Sequence, residues 1–174
     1  AYYSTDGNTW NPCTGISGIL NAVAYGTGRF VAVGEDVAFY STDGISWTAI
    51  TTTGVFLGIA YGNGRFIAVG GSGKVSALAD GSTTWTAITS TISGTYLYSV
   101  CYDTDRFIMV GQTAKSQYLL NGSTTCVLMT GNIGTDDLFS VAYNGTRFVA
   151  VGANGRSIRS TNGTSWQNMG NNGL

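Results

Sequence analysis

The sequence predicts an all-β fold built from repeated four-stranded antiparallel units, and three observations carry the prediction. The first is a phrase that keeps returning. Ser41-Thr42-Asp43-Gly44-Ile45-Ser46-Trp47 is preceded by Ser4-Thr5-Asp6-Gly7-Asn8-Thr9-Trp10 and followed by Ser160-Thr161-Asn162-Gly163-Thr164-Ser165-Trp166. Asp80-Gly81-Ser82-Thr83-Thr84-Trp85 and Asn121-Gly122-Ser123-Thr124-Thr125-Cys126 are looser copies. The Asp or Asn thus recurs at 6, 43, 80, 121 and 162, in steps of 37, 37, 41 and 41. The second observation is another phrase upstream of the first. Ala24-Tyr25-Gly26-Thr27-Gly28-Arg29-Phe30-Val31-Ala32-Val33-Gly34 returns over 60–70, 101–111 and 142–152. Its two apolar runs flank a Gly/Asn/Asp turn, which is a hairpin signal. The third is negative: no segment sustains a 3.6-residue period, while 26 Gly and a single Pro suit short strands joined by tight turns. Four short strands in a repeat of about 40 residues make the blade of a β-propeller.

Taken in order, residues 1–13 hold only a third and a fourth strand, a half blade. Full blades are expected over 17–50, 54–89, 95–129 and 137–168, all within one domain spanning 1–174. In each, a hairpin is followed by a Gly-rich break, a third strand, the Asp/Asn-Gly turn and a fourth strand opening at the Trp. One face of the first strand reads Leu20, Ala22, Ala24; then Phe56, Gly58, Ala60; Leu97, Ser99, Cys101; Leu138, Ser140, Ala142. The other face carries Val23 and Tyr25 and their counterparts. Both faces are largely apolar, as radial stacking between neighbouring blades requires. The segment 168–174 is too short and polar to add two strands. The half blade is therefore completed either as a thin fifth blade, by another chain, or by an absent part of a longer propeller. Beginning at Ala1 in mid-repeat fits such a piece.

Composition removes several functions. Only 10 % of residues are charged and the net charge is −1, which gives no electrostatic footprint for nucleic acid or an anionic membrane. No apolar run reaches the roughly 20 residues that span a bilayer, and none reads as a signal peptide. There is no His and a single Glu, which excludes His-based triads and ordinary His-rich zinc sites. Cys13, Cys101 and Cys126 fall on core positions and read as buried, unreactive thiols rather than a disulfide framework.

The phrase ending in Trp resembles the Asp box, or BNR repeat, of sialidase-like propellers. Ser4, Asp6, Thr9 and Trp10, and Ser41, Asp43, Ser46 and Trp47, match its Ser-x-Asp-x-Gly-x-Thr-Trp pattern with one residue fewer around the Gly. The later copies depart from it: Asp80 lacks the Ser, Cys126 stands for the Trp, and Asn162 stands for the Asp. The combined repeat is similar to propellers of bacterial surface and phage tail proteins. That resemblance implies an extracellular or virion-associated location. It also implies that the Asp box is the turn between third and fourth strands, a mark of fold with little functional specificity.

On this reading Asp6, Asp43, Asp80, Asn121 and Asn162 are structural, their side chains bonding backbone N–H groups a few residues on. Trp10, Trp47, Trp85 and Trp166 return into the blade as apolar anchors. A calcium site is the lesser reading, because the acids lack the dense spacing of oxygen-ligated metals. Arg29, Arg65, Arg106 and Arg147 recur once per blade and suit a repeated structural bond to a neighbouring turn carbonyl, although three arginines grip the carboxylate in sialidases. Glycoside hydrolysis needs paired carboxylates or a Tyr nucleophile with a Glu, and the only acidic pairs, Glu35-Asp36 and Asp136-Asp137, fall in loops. The Asn-Gly-Ser/Thr sequons at 121, 144 and 162 are also what tight turns need.

The leading expectation is a non-catalytic recognition module for a surface glycan or receptor, with no metal and no cofactor. A sialidase-like hydrolase fragment and a structural or assembly scaffold are the alternatives. Turns one–two and three–four share one end of each blade and are near-identical. The other end carries the variable loops, where binding residues concentrate on a rigid scaffold. Lys74, Tyr96, Lys115, Asp137 and Arg156 lie there and are the candidate ligand-binding residues.

Overall fold

The computed structural model describes residues 1–131 and 133–169. The stretch 170–174, the end of the tail read as too short for further strands, lies outside them. The strands in chain order are β1 (Tyr2–Tyr3), β2 (Asn11–Pro12), β3 (Leu20–Gly26), β4 (Arg29–Gly34), β5 (Ala38–Ser41), β6 (Thr48–Ile50), β7 (Phe56–Gly62), β8 (Arg65–Gly70), β9 (Val75–Ala79) and β10 (Thr86–Ala87). They continue as β11 (Leu97–Tyr102), β12 (Arg106–Gly111), β13 (Ser116–Leu120), β14 (Val127–Leu128), β15 (Thr130–Gly131), β16 (Leu138–Tyr143), β17 (Phe148–Gly152), β18 (Ser157–Ser160) and β19 (Ser165–Asn168). β1 and β2 pair alone as the half blade. The sheets β3–β6, β7–β10 and β11–β14 are four-stranded antiparallel meanders, here called blades 1 to 3. β16–β19 form blade 4, to which β15 adds a fifth, parallel strand beside β19. The first strands line the inside: β3 packs on β7, β7 on β11 and β11 on β16. This is the blade stacking of a β-propeller, as the repeats predict.

One departure from simple alternation recurs in every blade. The pairing of first and second strands shifts register between Leu20 and Ala22, Phe56 and Gly58, Leu97 and Ser99, and Leu138 and Ser140. Each shift is a one-residue β-bulge, so residues on either side of it change face. Leu97 therefore packs with Val100 and Phe107, in a cluster separate from Cys101. The expected face Leu97, Ser99, Cys101 is wrong in its first member, and likewise for Phe56 and Leu138. Gly34, Gly70, Gly111 and Gly152 end the second strands for a related reason. A Cβ at any of them would collide with the carbonyl oxygen of Ile19, Val55, Tyr96 or Asp137 respectively, where the incoming chain passes.

The core is a series of slabs between blades. Val31, Val33, Ala38 and Ile50 of blade 1 meet Ile59, Phe66, Ala68 and Leu78 of blade 2. Ile67, Val69 and Ala77 of blade 2 meet Val100, Phe107, Leu119 and Cys126 of blade 3. Ile108 and Val110 of blade 3 meet Val141, Phe148, Ile158 and Trp166 of blade 4. The Ala-Tyr-Gly of the repeat is explained here: Tyr61 lies flat where a Cβ on Gly26 would be, and Tyr102 does the same over Gly62. Cys126 is buried and Cys101 partly so, and burial pushes both thiols up to about 12, which keeps them protonated. Cys13 is only partly buried.

The slabs make a direct prediction. Trp166 is 4 % exposed inside the last slab, whereas Val127 on an outer strand is 43 % exposed. Trp166→Ala is expected to lower stability by roughly 3–5 kcal/mol, and Val127→Ala to stay within about 0.5 kcal/mol of the parent. Denaturant midpoints at constant m-value measure both; equal midpoints would refute the slab description.

Candidate binding site

The chain leaving one blade must pass under the next, and how it does so creates the site. After the half blade, Thr14 pairs in parallel with Ser46: its N–H donates to the Ile45 carbonyl (2.9 Å) and its carbonyl accepts from the Trp47 N–H (3.0 Å). After blade 2, Thr89 does the same against Thr124 (2.9 Å) and Cys126 (2.8 Å), and after blade 3, Thr130 pairs with Ser165. Each crossover thus clips the start of the next blade's outer strand. Between blades 1 and 2 no such clip forms among the described residues. Residues 51–55 separate Ile50 from Phe56, one fewer than the 14–19 that clip after the half blade and three fewer than the 89–96 and 130–137 of the later junctions. The shorter crossover also lacks the apolar residue that packs beneath the others, Ile92 after blade 2 and Ile133 after blade 3.

The unfilled slot is a groove of about 510 Å3 lined by Thr51, Thr52, Thr53, Lys74, Ser76, Thr83, Thr84, Trp85 and Ala87. The Trp85 N–H and Thr83 carbonyl, counterparts of the clipped groups, have no such bond. The indole N–H of Trp85 is buried without a partner, and its ring stands 5.3 Å from that of Phe56. Lys74 closes one end. It follows a turn over Gly71–Gly73 in which Ser72 and Gly73 take φ of 56° and 73°, and the same turn recurs at Gln112–Ala114 and Ala153–Gly155. The Lys74 ammonium donates to the Thr53 carbonyl and sits 4.3 Å from the centre of the Phe56 ring. Burial lowers its pKa, with Asp36 pulling the other way.

Beyond Lys74 a second hollow of about 470 Å3 shares Thr53 and Lys74 and reaches Tyr96. Tyr96 stacks on Tyr98 at 6.3 Å, and Tyr98 meets Phe139 at 5.6 Å. Tyr98 and Phe139 are the bulge residues of their strands, which turns them out of the slabs; Tyr96 and Phe139 are about half exposed, at 46 % and 52 %. The result is a continuous track from the vacant slot, past Lys74, to an aromatic ladder. Asp137 borders the ladder, accepting from the Thr113 N–H (2.8 Å) and the Tyr98 hydroxyl (3.4 Å). Burial and Asp137 together raise the Tyr98 pKa.

Of the residues expected to bind a ligand, the structure brings together Lys74, Tyr96 and Asp137. Lys115 is exposed on a different loop, and Arg156 is 7 % exposed beneath the last crossover, where a Cβ on Gly134 would strike its guanidinium. Sequence reading missed the lining threonines, the groove role of Trp85, and the Tyr98–Phe139 ladder. The short crossover was the available signal for the groove, and repeated aromatics at the bulge position for the ladder.

The Asp-box turns divide into two kinds. In the matching copies the expected bonds form: Asp43 Oδ1 accepts from the Ile45 and Ser46 N–H groups (2.8 Å each), and Ser41 Oγ accepts from Asp43 and Gly44. Asp6 repeats this with Asn8 and Thr9, and Asn162 with Thr164 and Ser165. Asp80 and Asn121 depart from it. There Ser82 and Ser123 take over, accepting from the Thr84 and Thr125 N–H groups, because the loop is one residue longer before the last position. Asp80 instead accepts from the Tyr61 and Thr27 hydroxyls, and Asn121 donates to the Tyr102 hydroxyl and the Thr104 carbonyl. Trp10, expected as an anchor, is 61 % exposed; Trp47 and Trp85 are half-buried.

Two of the four repeated arginines reach the next blade's turn as expected. Arg29 donates to the Ala79 and Ser82 carbonyls (2.9 Å each), and Arg65 to the Leu120 and Ser123 carbonyls (3.2 and 3.0 Å). Arg106 instead pairs with Asp105 at 2.5 Å, and Arg147 stands exposed on blade 4. Every carboxylate except Glu35 accepts a local bond: Asp36 from Gly54, Asp103 from Asp105 and Arg106, and Asp136 from Asn154, besides those above.

No family model matches the chain, and no curated protein matches it in sequence. Among solved structures it resembles YCF48 bound to D1 peptide, with a TM-score of 0.67 and 19 % identity. The match covers 92 % of this chain and 57 % of that one, so the chain spans little more than half the length of that propeller. At this identity the likeness is one of fold.

The turns give an acid prediction. Backbone bonds from Thr9 and Asn8 hold the Asp6 carboxyl at about 2, and those from Ser46 and Ile45 do the same for Asp43, against an ordinary 3.8. A depressed folded pKa contributes stability that is complete above the unfolded value and lost as pH falls through the folded one. Stability should therefore fall between pH 4 and pH 2, and Asp6→Asn with Asp43→Asn should flatten that slope while keeping the turns, as Asn162 does. Urea melts across the window measure it; an unchanged slope would refute the assignment.

Proposed function

We propose that this chain is a non-catalytic recognition module that holds an extended peptide along the track from the vacant slot to the aromatic ladder. The observation that carries the reading is the missing clip. At three junctions the protein fills this position with an extended stretch of its own backbone, bonded to the residue that starts the outer strand. At the first full junction the same acceptor and donor stand open beside a cavity of about 510 Å3. An added strand supplies main-chain bonds there, and side-chain hollows give selectivity. Lys74 suits a ligand carbonyl or carboxylate, and the ladder suits an apolar or aromatic side chain. The resemblance to a propeller bound to a peptide supports the same class of ligand. The engagement of nearly all carboxylates in turn and loop bonds favours binding over glycoside hydrolysis.

A glycan is the second reading, favoured by the hydroxyl-rich lining and the exposed aromatic rings. The two are separated by presenting the wild-type chain to a random-peptide display library and to a glycan array. Peptide capture is expected, with affinity falling at least about tenfold in Trp85→Ala and in Lys74→Ala, as for buried anchors of an interface. Capture of glycans alone, or peptide binding indifferent to both substitutions, would overturn the peptide reading.

A further inference from the structure

The interface between blades is used three times inside the chain, and each end of the stack presents one half of it. Val149 and Val151 on the outward face of blade 4 are 38 % and 48 % exposed, whereas their counterparts Val31, Val33, Ile67, Val69, Ile108 and Val110 are 0 % exposed. Met169 is 43 % exposed, against 3–8 % for Ile50, Ile88 and Met129 at the same position. The opposite half lies on the half blade. Trp10 is 61 % exposed, although Trp85 and Trp166 at the same position pack on the preceding blade. Tyr2 is 66 % exposed where Phe39 is 7 %.

The polar part of the interface is split in the same way. Arg29 and Arg65 each grip two carbonyls of the following blade's Asp-box turn. Arg147 is the equivalent on blade 4, exposed beside a hollow of about 240 Å3, and no turn follows it for it to grip among the described residues. The half blade carries an Asp-box turn of the shorter kind, as blade 4 does, in which Asp6 accepts from the Asn8 and Thr9 N–H groups.

We propose that the outward face of blade 4 docks the half blade of a second copy of this chain, head to tail. Arg147 would lie against the second copy's Asp6 turn, and that copy's Trp10 and Tyr2 would cover Val149, Val151 and Met169. The occupant follows from continuity: no new kind of surface is required, only a fourth use of an interface already formed three times. Such a contact joins two different patches, so it closes into a ring or extends as a chain of copies.

Sedimentation of the whole chain over a range of concentrations tests this. The wild type is expected to associate, and Trp10→Ala, Val151→Asp and Arg147→Ala each to weaken association at least about tenfold, with circular dichroism unchanged because all three side chains are exposed. The decisive arm mixes Trp10→Ala with Val151→Asp. Each mutant retains one sound patch, so the mixture should form a one-to-one pair that neither forms alone. A wild type that stays monomeric throughout would overturn the proposal and leave these faces to blades on another polypeptide. Association that mixing fails to restore would show a contact between like patches and overturn it equally.

Discussion

A sheet with two apolar faces cannot be buried by folding on itself, and every full sheet of this chain has two. The stacking of blades follows from that constraint. Large side chains on one face, such as Ile59 and Tyr61, meet small or branched ones on the preceding blade, such as Ala22, Ala24 and Val31. The glycines under Tyr61 and Tyr102, the grip of Arg29 and Arg65 on the next turn, and the clips after the half blade, blade 2 and blade 3 hold neighbouring blades together. Because each slab involves only adjacent sheets, stability accumulates junction by junction rather than around a single centre.

Much of this was legible in the residues. The period of the Asp/Asn-Gly turn, the paired apolar runs and the absence of helical periodicity lead to four-stranded blades, and the once-per-blade arginine leads to a turn contact. What escaped was local backbone geometry. Face assignment by alternation assumes an unbroken ladder, and the bulge after Leu97 breaks it without any unusual residue to announce it. Capping by Asp80 and Asn121 was inferred from their place in the repeat, yet one extra residue in the loop handed the task to Ser82 and Ser123. The candidate site shows the same limit. Lys74 and Tyr96 stood out because the loop end of the blade varies, whereas Arg156 varies too but is covered by its crossover. Only three-dimensional packing separates the two cases.

The structural duty of the acids bears on chemistry. A carboxylate held near 2 by backbone donors, as in Asp43, is fixed as an acceptor and makes a poor general acid near neutrality. Besides Glu35, the groups left with spare capacity around the groove are the threonine hydroxyls, the Lys74 ammonium, the Trp85 N–H and the aromatic rings, a set suited to orienting and holding a ligand.

The short crossover after Ile50 has a mechanical side. A pull applied along the stack is shared at most junctions between the slab and a parallel backbone clip loaded in shear. At the junction of blades 1 and 2 the slab and the turn contacts of Arg29 carry it without that clip. That junction is where the blades are expected to part first under load, and where anything lodged in the slot would act as a splint.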